Sequence, residues 1–585
     1  AADWLHDRGD GSRTLVAPSM PFAEQDWGFT RDEPLQPLTD VPWVVRDAVP
    51  LVPPEAIRGL DGIHDQLGRG EASESLAGTL RANGIGHVLV RSDVPPFNRG
   101  TSLADLNATL QGSPGLRKAT EIMHSDGGDR DRVAVTIWEV RDAADALAPR
   151  MVDASEVPLV SGGPEVLARL DEVDGDSPVR ILHGEAAGTV TDTPARRGRN
   201  YGEVKNAVSG ILAPDEETGV SNIVPDYPVE GIPLTQTATG GSTLEVSSSA
   251  SEPYNVGGAD PRHSANALVD GDPTTWWEPR RGTGQAEWVE ITPPEPLDDG
   301  VLTVTAARVP AQVQIRAGGA STSVWLTPGE PRTISLPGGA AETVRITAFT
   351  APAGFALSEV ALEQRDGEDY TPIRVPVVPD ASPVVQRWSF GQEIPEGALR
   401  RVFTVPEATT VTVDADTCRT GLDDPWTLVD DEPVACGDAL ELGPGMHEIH
   451  SHARWVTLTA EDYLAPDSAA QDAAVVDGWD EGDDTGTIVA ADHDRFVWRP
   501  VSTNPGQIAT LGGTELEPVT VNGWQQGWLV PAGASGDFAI TFPAASTWRA
   551  GILAGGALAA LFALVTVAVA VVTRRTLAPA PLDGA

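Results

Sequence analysis

Residues 550–573 read AGILAGGALAALFALVTVAVAVVT, a run without charge or proline. At about 1.5 Å per residue such a helix reaches roughly 36 Å, enough to cross a hydrocarbon core of about 30 Å. Trp548 and Arg549 precede it, and Arg574 and Arg575 follow. The two trailing arginines place the tail 574–585 on the cytoplasmic side and everything before Trp548 outside. Gly551 and Gly555, four apart with Gly556 beside them, leave room for another helix to approach closely. A lone anchor has no need of that, so an upstream membrane bundle is expected as a partner.

Working outward, 585 residues allow three to five domains, and 60 Gly with 49 Pro among Val and Thr runs favour short strands and turns over helix bundles. The net charge of −45, with Lys118 and Lys205 the only lysines, excludes nucleic acid as a partner, since phosphate would be repelled. It also argues against a broad electrostatic footing on anionic lipid, leaving a neutral or weakly charged partner. Cys418 and Cys436 are the only cysteines. Outside the cell they are expected to form a disulfide worth about 3 kcal/mol, two unpaired thiols being the other reading. Ala1 is not Met, and no n-region or apolar h-region follows it. The expectation is a removed signal or, better, the C-terminal part of a longer membrane protein.

Residues 1–240 read as an extracytoplasmic α/β region, with a break near 150. Helical spacing at 75–83, glycines at 84 and 86 and an apolar run at 87–90 give helix, stop and strand, with further strands at 14–17 and 133–140. A second unit is expected from a helix at 165–170 and a strand at 179–183. The basic island Arg196, Arg197 and Arg199, with Tyr201, stands out in an acidic chain. It is either a loop pairing with nearby carboxylates or a contact for a lipid head group or lipid-phosphate sugar donor.

From residue 243 the pattern turns to β. Residues 263–279, HSANALVDGDPTTWWEP, form the most specific motif, followed by short alternating strands up to 362. The stretch 243–365 resembles the discoidin, or coagulation-factor-5/8 type C, domain, a β-sandwich that also serves as a carbohydrate-binding module. The resemblance rests on Ala267, Asp270, Gly271, Asp272, Thr275, Trp277, Trp288 and the closing Ser358-Glu359-Val360. It implies a structural Ca²⁺ held by Asp270, Asp272, Thr275 and Glu359; the same DGD residues read without a metal are an Asx turn. Trp277 is expected in the core, and Trp276, at a variable position, is a candidate for sugar contact.

Residues 375–545 read as a further all-β sandwich region. His447, Glu448, His450 and His452 miss the HExxH spacing and fit a solvated strand face better than a metal site. The acidic 477–484 is expected as a surface loop. Trp524, Gln525, Gln526 and Trp528 either stack on and hydrogen-bond a sugar or form a hairpin filling the base of the sandwich. No G-x-S-x-G, P-loop or G-x-G-x-x-G occurs, and 85 carboxylates defeat any search for a glycosidase pair by spacing. The residues alone describe a binding and scaffolding chain: multidomain α/β plus all-β, with one C-terminal transmembrane helix.

The order of parts is similar to the C-terminal half of the actinobacterial α-(1→3)-arabinofuranosyltransferases. The similarity rests on the opening DWL-x-x-R, residues 42–51 (PWVVRDAVPL), 84–93 (GIGHVLVRSD), TDTP at 191–194, the discoidin-like module and 521–533 before the last span. It implies the acceptor-recognition portion of a GT-C membrane glycosyltransferase that moves arabinose from decaprenylphosphoryl arabinose to cell-wall arabinan. The catalytic acids of that class lie between early membrane helices outside this chain, so no catalytic residue is assigned. The rival readings are an anchored carbohydrate-binding protein and a glycoside hydrolase with a discoidin module.

Overall fold

A computed structural model of the chain describes all residues except 20–23, 47–52, 96–100, 126–130, 184–186, 197–208, 215, 217–233, 253–254, 257–258, 273, 283–284, 381–382, 393–398, 421–426, 466–473 and 577–585. The first 148 residues build an α/β unit on a five-stranded sheet. Its order is Trp43–Val45, Arg13–Ala17, Ile85–Arg91, Asp131–Val140, Leu116–Ser125. The first three strands run parallel and the last two join antiparallel. Period-two alternation sends Leu15, Val88 and Val90 to one face, against Ile63, Leu67, Leu80 and Leu110 from three helices. Val16, Leu89 and Ile137 go to the other face, against Leu5 and Leu35. Burial on both faces is what continuous apolar strands at the centre of such a sheet require.

Past residue 150 the sheets do not follow the order of the chain, and the second α/β unit expected there is not a separate body. Arg150–Asp153 pairs with Arg495–Ser502 in the last sandwich. Leu159–Ser161, Ile181–Leu182 and Thr189–Thr191 extend a seven-stranded sheet through Arg387–Gly391 to Trp455–Ala460, Thr409–Ala415 and Ala439–Leu442. That sheet packs on a six-stranded one over a core of Val190, Trp388, Phe390, Phe403, Val413 and Ile449. The two-residue and three-residue strands at 159–191 cannot bury their apolar faces alone, so they add to a sheet that can. Residues 375–545 hold two sandwiches. The second pairs a sheet around Gln525–Val530 with one around Gly536–Thr541 over Val497, Trp528, Phe538 and Ile540. The acidic 477–484 is part of it: strands Asp477–Asp480 and Thr485–Ile488 make a hairpin rather than a loop.

The sandwich of residues 243–364 is an insertion. Gln236–Thr239 and Arg374–Val377, on either side of it, pair directly with each other. Its five-stranded sheet (Thr243–Val246, Glu287–Thr292, Val344–Ala348, Ala311–Ala317, Ala320–Leu326) faces a three-stranded one (Arg332–Ser335, Gly300–Ala306, Leu357–Gln364). Trp277, fully buried, fills the core between them beside Phe355. Cys418 and Cys436 are joined by a disulfide. Helix Pro543–Thr576 ends the described chain; it is apolar and long enough to cross a membrane, and none of it is buried against the rest.

Buried ion pairs fasten these pieces. Asp192 accepts from Arg169 Nη2 at 2.7 Å, Arg401 Nε at 3.0 Å and the Gly391 amide at 3.1 Å. Burial alone would raise its pKa, but Arg169 and Arg401 hold it below the usual value. Asp192→Ala leaves two largely buried guanidiniums without that carboxylate. We expect a loss of about 3–5 kcal/mol, read as a lowered denaturant midpoint of the transition that includes this sandwich.

Candidate functional site

The insertion carries the residues singled out as a metal and sugar site. Gly271 takes a φ of +76°, which lets the DGD segment turn sharply. Asp270 accepts from the Asp272 amide at 3.0 Å and the Thr275 hydroxyl at 2.7 Å, while Asp272 accepts from the Thr274 amide and hydroxyl at 2.8 and 2.6 Å. Trp277 exchanges backbone hydrogen bonds with Leu357 at 2.9 and 3.1 Å, and its indole donates to Ser248 O at 2.9 Å. That bridge sets the loop beside the strand bearing Glu359. Burial first, then the charges of Asp270 and Asp272, push the Glu359 carboxyl up to about 7. Its Oε1 is buried and has no hydrogen-bond partner among the described residues.

As arranged, the loop is an Asx-turn cluster in which the Thr275 hydroxyl donates to Asp270. Among the described residues, no three His, Cys, Asp or Glu converge closely enough to hold a metal ion. The charges of Asp270 and Asp272 reach Glu359 and raise its pKa, yet the three do not form a finished shell. Trp276 stands half-buried beside them, stacked on His263 at 4.7 Å and 23°, with the Arg308 guanidinium 5.9 Å from its ring. Its indole N–H is without a partner among the described residues.

The other sequence candidates go elsewhere. Arg196 is buried and donates to Ser209 O, so it braces the backbone instead of presenting charge; Arg197 and Arg199 lie outside the described residues. Trp524, Gln525, Gln526 and Trp528 are interior, which overturns their reading as a sugar platform. Trp528 sits in the last core against Phe538. Gln525 donates to Ala82 O at 3.0 Å and Gln526 accepts from the Asn504 amide at 2.8 Å. Trp524 packs so close to Gly59 that an added Cβ there would meet its indole nitrogen at 3.3 Å. The reason is positional: their strand is internal to its sheet and its turn, with positive φ at Asn522 and Gly523, docks on Arg180. On the strand Gly445–Ser451, His447 bonds Asp430 at 2.7 Å and Glu448 pairs with Arg400.

Three polar pairs are not legible in the sequence. At the carboxyl ends of the parallel strands, where open α/β sheets place ligands, Ser19 Oγ lies 3.2 Å from His64 Nε2. Burial lowers the His64 pKa to about 4, keeping the ring neutral. Arg46 donates to Asp61 at 2.8 Å, and Arg91 donates twice to Glu33 at 2.9 Å. These residues are 45, 15 and 58 positions apart in sequence, so only the sheet brings them together.

The molecule is therefore a β-rich, multidomain chain with an α/β head and one exposed apolar C-terminal helix. It belongs to the α-(1→3)-arabinofuranosyltransferase family. A family model described as the N-terminal GT-C domain of α-(1→3)-arabinofuranosyltransferase matches residues 1–225. Two curated relatives carry the name α-(1→3)-arabinofuranosyltransferase. The one from Mycolicibacterium smegmatis is 35% identical over 448 residues, and the one from Mycobacterium tuberculosis 35% over 444. Each match takes in 67% of this chain and 32% of the relative, so the chain aligns with about a third of their length. A cryo-EM structure of the mycobacterial arabinofuranosyltransferase AftD superposes with a TM-score of 0.84 over 99% of this chain and 65% of that one, at 24% identity, and so shares the fold.

The raised Glu359 carboxyl sets a pH dependence. A folded-state pKa above the unfolded one favours folding below about pH 4.5 and costs stability as pH rises toward 7. Glu359→Gln is expected to raise the melting temperature of the insertion at pH 7.5 and leave it unchanged at pH 4. Equal melting curves for both proteins at pH 7.5 would refute the electrostatic account.

Proposed function

We propose that the chain is the acceptor-recognition portion of a membrane arabinofuranosyltransferase. In this reading the whole protein transfers arabinose from decaprenylphosphoryl arabinose to cell-envelope arabinan. The observation that carries it is the 35% identity to named arabinofuranosyltransferases, spread over two thirds of the chain. In this reading the lipid-phosphate donor and the chemistry fall to parts of the family protein beyond the third that this chain aligns with. The apolar helix at 543–576 holds the folded units on the outer face of the membrane. The insertion is read as a discoidin-like, carbohydrate-binding sandwich, supported by the DGD turn, the buried Trp277 and the two opposed sheets. Trp276, half-buried at the loop end and stacked on His263, is its candidate sugar contact.

The detergent-solubilised chain is expected to be retarded in affinity electrophoresis by soluble arabinan and not by dextran; equal mobility in both gels would count against the reading. Cysteine tags after Thr573 and before Trp548 are expected to label from opposite sides of oriented vesicles, the latter from outside.

Calcium is a separable proposal for Asp270, Asp272, Thr275 and Glu359. It is supported by the partnerless Glu359 oxygen and by the Asp270 and Asp272 charges that, after burial, raise the Glu359 pKa. Bound there, the ion would neutralise their repulsion and brace the loop. Ca²⁺ is expected to raise the melting temperature of the native chain by several degrees, reversed by chelator, and to leave Glu359→Gln unmoved. No shift in the native chain at millimolar Ca²⁺ would rule the site out.

A further inference from the structure

The outer face of the insertion's five-stranded sheet is open to solvent, and the registers fix what stands on it. Trp288 lies opposite Thr347, Thr347 opposite Gln314, and Gln314 opposite Ser323. In the next row Gln312 lies opposite Trp325, and Phe349 stands in the turn just past the end of strand Val344–Ala348, two residues after Thr347. Trp325 and Phe349 are each 62% exposed, large aromatic rings left uncovered on a folded surface. Trp288 is capped by the Arg345 guanidinium at 3.9 Å, and that charge is answered by Glu290 at 3.3 Å. Two uncovered rings therefore stand toward the same end of this sheet as the Gln312 amide. Neighbouring strands lie about 4.8 Å apart, so Trp325 and Gln312 are side by side, and Phe349 leaves the adjoining strand at that end.

We propose that this sheet face, apart from the loop carrying Trp276, binds a neutral glycan chain, with Trp325 and Phe349 stacking on sugar rings and Gln312 and Gln314 bonding hydroxyls between them. The glycan is taken to be arabinan, a step that rests on the functional reading above. Three features favour this occupant. The rings are separated by amides and hydroxyls rather than merged into the continuous apolar patch that a protein partner buries at its centre. The ion pair at the margin is internally neutral, and the chain's charge of −45 repels anionic lipid. Aromatic faces bind the C–H side of a sugar while side-chain amides satisfy its hydroxyls, so exposed rings next to amides match a chain of hydroxylated rings.

The test uses the detergent-solubilised chain and soluble arabinan in affinity electrophoresis, with the Trp325→Ala/Phe349→Ala double variant. Both side chains are exposed, so an unchanged melting temperature is expected. Arabinan affinity is expected to fall by about tenfold or more, as loss of two aromatic anchors does. Trp325→Phe, which keeps a ring, is expected to recover most of it; a polar structural role would not follow ring content in this way. Native retardation that persists undiminished in the double variant would overturn the sheet-face proposal and leave the functional reading standing. No retardation of the native chain would overturn both. Loss of co-flotation with neutral phosphatidylcholine vesicles in the double variant, with arabinan binding intact, would assign the face to lipid and also overturn the proposal.

Discussion

The architecture depends on a carboxylate at the meeting point of distant chain segments. Asp192 follows the strand Thr189–Thr191, and its oxygens take bonds from Arg169, Arg401 and the Gly391 amide. A few residues away, Arg180 bonds Asp171 at 2.6 Å and Asp174 at 2.8 Å, and Arg387 also reaches Asp174. Thr79 of the α/β unit donates to Asp171 at 2.7 Å. Charges buried this deeply are tolerated only when each is answered, and that requirement fixes how the helix Leu167–Asp174 sits between the head and the middle sandwich.

With the junction fixed, the rest of the chain can be long and β-rich without tangling. The inserted sandwich leaves between two paired strands and returns to the same place, so it adds a module without disturbing the sheet that carries it. The last sandwich is tied back to the head by Gln525 on Ala82 and by Arg13 Nη2 on Pro500 O at 2.6 Å. Its Trp524 and Trp528 serve as packing, which explains why an Asn-Gly turn flanked by tryptophans was misleading as a sugar site. A ring on an internal strand is covered by default; a ring on an outer face is available.

The geometry separates two kinds of surface on the insertion. The loop end concentrates like charge and one stacked Trp–His pair, while the sheet face spreads rings and amides over flat backbone. At the head, by contrast, the Ser19–His64 pair is enclosed, and its histidine is held neutral by burial.

Local chemistry alone determined a good deal. The uncharged run at 550–573, the helix–glycine–strand order at 75–90, the alternating strands of 287–362 and the buried Trp277 follow from hydropathy period, turn residues and a motif contained in one loop. Tertiary structure decided the remainder. That Thr189–Thr191 pairs with Arg387–Gly391, that Arg196 points inward, and that Trp325 stands exposed opposite Gln312 are facts about partners apart along the chain. Strand register and sheet edge are set by which faces find cover, and a single sequence does not reveal what will cover them.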